Sequence, residues 1–347
     1  MLKRWKLSLL ASVLLLLATY PIFFDAYRTA AFKAVPYDDY APYLLAVLGK
    51  GGELPGAPFV YRVFSVAVAS PFYYLLPVYS FTNLHGVDLQ YLRATQAITF
   101  VSYLALLLNA VVIYILARMN HAASRASALI VAMLSIFCFG SFISKIGVDS
   151  LAILMVSLLL LVSPRKSLFI PLMLLSIGVN EKIPLLFLSV FCARYLWLAT
   201  HRKPFQHWGQ LTVSMFAVVI YFFAVWYFKF PGNEAQTNPG AFGKAVASSL
   251  SVSFSLKGLV LNVLPMTLLS IFVWMAARER VFNNFELIDI SGVLVLMGLA
   301  VLAGVVFNIG RVVMYSYPLY LPAAAYFIDR VLGVSQVGGD NSVLGGR

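Results

Sequence analysis

Residues 96–117 read QAITFVSYLALLLNAVVIYILA, a stretch without a single charged side chain. As a helix it would cross the hydrocarbon core of a bilayer, which takes roughly 17–25 apolar residues. Runs of this kind recur along most of the chain, and that recurrence limits the fold more than any other feature. Hydrocarbon offers no hydrogen-bond partners, so each backbone N–H and C=O inside it must be paired within the protein. Only helices and closed barrels meet that condition. The sequence lacks the short alternating strands of a barrel. It reads as an all-α polytopic membrane protein. Composition agrees: 61% of residues are hydrophobic and 11% charged, against about 25% charged in soluble domains.

The net charge of +12 does not argue for a nucleic-acid partner. The basic residues sit in short loops between apolar segments, where they set orientation in the membrane. Cys138 and Cys192 lie inside apolar runs and suggest neither a disulfide framework nor a metal site. MLKRWKLSLLASVLLLLATYPIFF reads as an uncleaved first span with its basic end in the cytoplasm.

Ten spans are expected, at about 7–24, 96–117, 127–144, 149–163, 168–179, 183–198, 210–228, 258–276, 291–308 and 312–328. They form a single transmembrane domain over residues 1–332, followed by a Gly/Ser-rich tail at 333–347 that is expected to be disordered. The segment FVYRVFSVAVASPFYYLLPVY (59–79) is apolar enough to cross as well. If it did, the basic loops RMNHAASR, PRKS, ARYLWLATHRK and ARER would all face outward, against the positive-inside rule. As an amphipathic, Pro-broken element on the outer surface, it leaves all four loops and both termini inside.

With that topology, Asp25, Asp38, Asp39, Glu53, Asp88, Asp149, Glu181 and Glu234 fall on the outer side, eight of the chain's 13 acids. The two long loops, 25–95 and 229–257, also lie there, and long loops carry function where short ones merely connect. The outer face is thus the expected working face.

Asp38 and Asp39 are adjacent in VPYDDYAPYLLAVLG. One carboxylate suffices to cap the helix that begins at APYLLA. A carboxylate in an otherwise apolar and aromatic loop can also act as a general base on a hydroxyl. Asp149 opens the span VDSLAILMVSLLLLV, where it can cap the helix or pair with Lys145. Glu181 and Lys182 sit in the turn GVNEKIPLLF, close to bilayer depth, where ionisable groups cost roughly 2.5–3.5 kcal/mol each and normally have a function or a partner. Arg62 and Arg311 stand near the outer interface. Arginine's planar fork suits phosphate, and interfacial snorkelling is the simpler alternative, above all for Arg62.

The order of these pieces resembles a known superfamily. A first span is followed by a long outer loop with acids, then by an arginine entering the next span (DLQYLRATQAITF). A later span opens on an acid (GVDSLAILMV), an acid–lysine turn follows (SIGVNEKIPLLF), and an arginine precedes the last span (NIGRVVMYSYPLY). This architecture, over roughly residues 1–330, resembles the GT-C superfamily of membrane glycosyltransferases, which includes lipid A aminoarabinose transferases and protein O-mannosyltransferases.

The resemblance implies a polyprenyl-phosphate sugar as donor. A loop aspartate, Asp39 or Asp38, would be the general base that activates an acceptor hydroxyl, with inversion at the anomeric carbon. It makes Arg62, Lys182 and Arg311 candidates for holding the lipid phosphate, with Asp149 and Glu181 as positioning groups and Arg93 structural. Larger members carry a soluble outer domain after their spans. Without one here, the expected acceptor is a lipid or a small glycan. The expected location is a bacterial inner membrane with the site on the periplasmic side. No cofactor is expected: some members hold a divalent metal, but no His stands near Asp38 and His85 is isolated. A polytopic lipid or solute transporter is the alternative, and the NEK break is the one feature that favours it.

Overall fold

The computed structural model describes residues 40–51, 61–78, 88–139, 148–228 and 315–331, isolated positions between 13 and 27, Leu54, and four positions between 247 and 256. Asp38, Asp39, His85, Arg311, all but those four positions of the loop 229–257, the spans expected at 258–276 and 291–308, and the tail lie outside the described residues.

The described residues are helical, with no strand among them. In chain order the helices are α1 (Ala41–Val47), α2 (Val63–Leu75), α3 (Leu89–Asn120), α4 (Arg125–Phe139), α5 (Val148–Val162), α6 (Lys166–Ile177), α7 (Lys182–Thr200) and α8 (Trp208–Phe228). A single 3₁₀ turn at Tyr317–Leu319 then leads into α9 (Leu321–Val331). Three of these, α3, α7 and α8, are long and apolar enough to cross a membrane. At 1.5 Å per residue the 32 residues of α3 extend about 48 Å, well over the roughly 30 Å hydrocarbon core.

Helix α3 is the hub. Asp88 caps its first turn by accepting from the Gln90 N–H at 2.8 Å, as N-cap carboxylates do. Small residues, Ala94, Ala97, Ala105 and Ala110, are almost fully buried along it and let neighbouring helices approach closely. At depth, Asn109 is wholly buried and accepts from the Ser157 hydroxyl of α5 at 2.5 Å, an interhelical hydrogen bond of the kind that holds helices together in lipid.

The helices run alternately up and down. The turn 163–165 folds α6 back on α5. Phe169, near the start of α6, meets Phe187 and Phe191 of α7 edge-on at 5.9 and 6.1 Å, so α6 and α7 form an antiparallel hairpin. Gln210 at the start of α8 donates to the Ser163 carbonyl at 3.1 Å. One end of the bundle therefore carries the starts of α3, α5 and α7. The other carries the starts of α4, α6 and α8.

The segment expected at 59–79 is described over 61–78. Its helix α2 has 13 residues, about 20 Å, too short to cross alone. Both of its ends stay at one end of the bundle: Arg62 meets Glu181, while the Tyr73 ring lies 5.6 Å from the guanidinium of Arg93, early in α3. Ser65, Val66, Ala69 and Tyr73 face inward, while Val63, Ala67, Pro71 and Tyr74 face outward. The outward stripe is thus apolar, where an amphipathic helix was expected to show polar groups. The reason lies in the sequence itself: the only polar side chains in VFSVAVASPFYYL are small hydroxyls and tyrosines.

The last expected span, 312–328, is described from Tyr315 on and is interrupted there: Tyr315 is helical, Pro318 falls in the 3₁₀ turn, and α9 follows from Leu321. Proline cannot supply the N–H an α-helix interior needs.

Candidate functional site

At the end of the bundle where α7 begins, side chains from five separate stretches converge. Arg62, just ahead of α2, presents its fork to Glu181: Nε donates to Oε2 at 3.1 Å and Nη2 to Oε1 at 2.7 Å. Its remaining face donates to the Tyr40 hydroxyl through Nη1 at 3.0 Å. Arg62 is 5% exposed and Tyr40 3%, so this is a buried ion pair with a phenol as its third partner. Bidentate charged hydrogen bonds of this kind are the strong ones.

The backbone sets this up. Chain 178–181 must turn sharply between two apolar helices, and its carbonyls need donors. The Phe64 N–H supplies one, donating to the Gly178 carbonyl at 2.9 Å. A Cβ on Gly178 would lie 3.5 Å from the Phe64 Cβ and 3.6 Å from the Val63 Cγ2, so the start of α2 packs directly on this turn. That docking carries Arg62 to Glu181.

A second set adjoins the first. The Tyr315 hydroxyl donates to Asp149 Oδ1 at the start of α5 and accepts from Asn180 Nδ2 at 3.3 Å. The Asn180 side-chain oxygen in turn accepts the Lys182 N–H at 3.1 Å, and the Lys182 ammonium lies 5.7 Å from the centroid of the Tyr315 ring. Asp149 is 1% exposed and Asn180 fully buried. The charges of Asp149 and Glu181 both reach Tyr40, which links the two sets into one cluster.

The electrostatics follow from burial and pairing. Burial alone would push the Glu181 carboxyl up. The charges of Arg62 and Lys182 and the Arg62 hydrogen bonds outweigh it and hold Glu181 at about 2. Burial works against the Arg62 charge too, yet Glu181 and the neighbouring phenols make it more basic than usual. Tyr40 is driven upward, first by burial and then by the two carboxylates, with Arg62 opposing. The cluster thus keeps Arg62 and Glu181 charged and Tyr40 protonated at neutral pH.

Four of the seven sequence-derived site residues meet here: Arg62, Asp149, Glu181 and Lys182. The other three, Asp38, Asp39 and Arg311, lie outside the described residues, although Asp39 is bonded to Tyr40 and Arg311 is four residues from Tyr315. Arg62 differs from its expected role, since the fork that suited a phosphate is filled by Glu181. Tyr40, Asn180 and Tyr315 were missed. The signal was proximity: each stands within four residues of a charged site residue. Among the described residues no group of three or more His, Cys, Asp or Glu could hold a metal ion.

A small cavity of about 10 Å³, room for one water, lies beside Tyr40, lined also by Ser65, Ala69, Ile98 and Leu151. Among the described residues the Ser65 hydroxyl has no hydrogen-bond partner.

The chain matches no protein-family model, no curated protein and no solved structure.

Proposed function

We propose that this protein is a membrane glycosyltransferase. It moves a sugar from a polyprenyl-phosphate donor to a hydroxyl of a lipid or glycan acceptor on the non-cytoplasmic face, with inversion. The observation that carries the reading is the cluster of Arg62, Asp149, Glu181, Lys182 and three buried polar partners at one end of an apolar bundle. Buried ionisable groups at membrane depth mark sites of function, and this set lies where a lipid-borne phosphate would arrive.

In this reading Asp39 or Asp38 takes the proton of the acceptor hydroxyl. Lys182 and Arg311 meet the departing lipid phosphate. Arg62 acts one step back: it holds Glu181 and Tyr40, and Tyr40 ends the aspartate loop and opens α1. Asp149 is held by Tyr315 as a positioning group. The acceptor oxygen bonds to the anomeric carbon, the carbon–oxygen bond to the lipid phosphate breaks, and the phosphate leaves as the lipid anion. The position of this cluster at an end of the bundle favours this over a transporter, whose charges would stand near the midplane.

The test is a panel of labelled polyprenyl-phosphate sugars offered to the protein in lipid nanodiscs, beside Asp38→Asn and Asp39→Asn. One donor is expected to be consumed by the wild type and spared by one Asn variant that retains its fold. If no donor turns over and both variants still complement a deletion strain, the aspartates cap a helix and the reading fails.

A further inference from the structure

A second polar arrangement stands where α2 stops and α3 starts. The uncharged run of α3 begins at Gln96. Arg93 lies three residues before it, and Asp88, the N-cap, lies eight before it. At 1.5 Å per residue, Arg93 is about 4.5 Å and Asp88 about 12 Å outside that run. Side chains on a helix lean toward its N-terminus. The Arg93 guanidinium therefore reaches outward, to the level of the lipid headgroups, as long basic side chains do near a span end.

Helix α2 supplies an aromatic ring beside both charges. The Arg93 guanidinium lies 5.6 Å from the Tyr73 ring centroid, and the charges of Arg93 and Asp88 both reach the Tyr73 phenol. The Arg93 charge also reaches Tyr27, whose hydroxyl donates to the Pro77 carbonyl at 2.8 Å. That bond ties the stretch after the first span to the end of α2. Three stretches of chain thus meet around one arginine.

The two charges are not spent on each other. Among the described residues Arg93 has no carboxylate within ion-pair distance and its buried Nε has no hydrogen-bond partner. Asp88 is exposed and gives one oxygen, Oδ1, to the Gln90 N–H. A cation next to the hydrocarbon with an anion farther out is the mirror of one kind of headgroup. In a zwitterionic phospholipid the phosphate is esterified to the glycerol and the amine stands beyond it. A purely anionic headgroup would suit Arg93 but meet Asp88 as a like charge. A primary ammonium can donate to the second oxygen of Asp88, whereas a trimethylammonium has no N–H to give.

We infer that Arg93 and Asp88, beside Tyr73, bind the headgroup of phosphatidylethanolamine, with the phosphate on Arg93 and the ammonium on Asp88. Order of charge along α3 selects the occupant. Tyr73 is eleven residues on from Arg62, about 16 Å along the helix, so the site is separate from the Arg62–Glu181 cluster. It does not depend on the glycosyltransferase reading.

The experiment uses the full-length protein, delipidated in neutral detergent. It is titrated with phosphatidylethanolamine, phosphatidylglycerol or phosphatidylcholine of the same acyl chains, and bound lipid is counted by native mass spectrometry. The wild type is expected to bind phosphatidylethanolamine about fivefold more tightly than either of the others, the effect of one charged contact near the surface. Asp88→Asn keeps an N-cap acceptor and with it the start of α3, and is expected to erase the preference over phosphatidylglycerol. Arg93→Gln is expected to weaken phosphatidylethanolamine and phosphatidylglycerol alike, by about fivefold each. Arg93→Lys keeps the charge and is expected to bind within about twofold of the wild type, which separates lost charge from lost fold. A wild type that binds phosphatidylethanolamine no more tightly than either other lipid, a preference that survives Asp88→Asn, or binding unmoved by Arg93→Gln would each overturn the inference.

Discussion

Glu181 is the residue on which the cluster turns. It is the anion for Arg62 and feels Lys182 as well, and its carboxyl is held at about 2 against an ordinary 4.5. A depressed carboxyl contributes stability that is complete above the ordinary value and is lost as pH falls toward the folded one. The Arg62–Glu181 pair is therefore expected to be fully effective above about pH 4.5 and to weaken from there down to about pH 2. Glu181→Gln leaves Arg62 buried without its anion, which costs about 3–5 kcal/mol. Thermal melts in detergent should show a wild-type advantage over Glu181→Gln that is constant above about pH 4.5 and shrinks below it. An advantage independent of pH down to about 2 would mean that Glu181 is not paired as described.

Among elements, the docking of α2 on the 178–181 turn and of α9 on α4 are the two joints to test. Gly178 has φ −76° and ψ −6°, which any residue adopts, and a Cβ would make only ordinary contacts. Gly178→Ala should change stability by less than about 0.5 kcal/mol. Gly178→Leu should push α2 away, breaking the Phe64–Gly178 hydrogen bond and with it the Arg62–Glu181 pair, at a cost of about 1–3 kcal/mol or more. Comparing the two melts checks that α2 sits on this turn. At the other joint, Asp329 is 3% exposed and accepts from the Ser124 N–H and the Ser127 hydroxyl at 2.5 and 2.6 Å, which ties α9 to the start of α4, where the Ser124 hydroxyl accepts the Ser127 N–H at 3.2 Å. Asp329→Ala leaves the Ser124 N–H and the Ser127 hydroxyl without this acceptor and is expected to cost about 1–3 kcal/mol in a thermal melt.

Apolar length and loop charge sufficed to read α3, α7, α8 and the α6–α7 hairpin from sequence, because hydrocarbon leaves the backbone so few choices. They could not show where the turn at Pro318 interrupts the last expected span. A Pro near a predicted span end is compatible with either a kink or a start. Charged residues in short turns announced Arg62, Asp149, Glu181 and Lys182, since such groups are scarce at membrane depth. Tyr40 and Tyr315 carried no such mark among 19 tyrosines. A phenol is equally at home in a core, at an interface or in a hydrogen-bond network, and only the fold tells which.

For the whole molecule, the described helices divide the chain into a tyrosine-and-carboxylate end and a basic end. Single cysteines at Arg125 and Arg202, in a chain with Cys138 and Cys192 replaced by Ser, should react with an impermeant maleimide from one side of the membrane. One at Lys50 should react from the other. Labelling of all three from one side would refute the division. Cleavage of a lipid-phosphate sugar at the tyrosine end, as proposed, can be followed in proteoliposomes. The wild-type protein receives a donor labelled separately in its sugar and its polyprenyl chain, together with an acceptor lipid. The two labels are expected to part, with free polyprenyl phosphate formed one for one with glycosylated acceptor and both products on the side of the tyrosine end. A donor that stays whole and appears in the opposite leaflet would contradict it and make the protein a transporter.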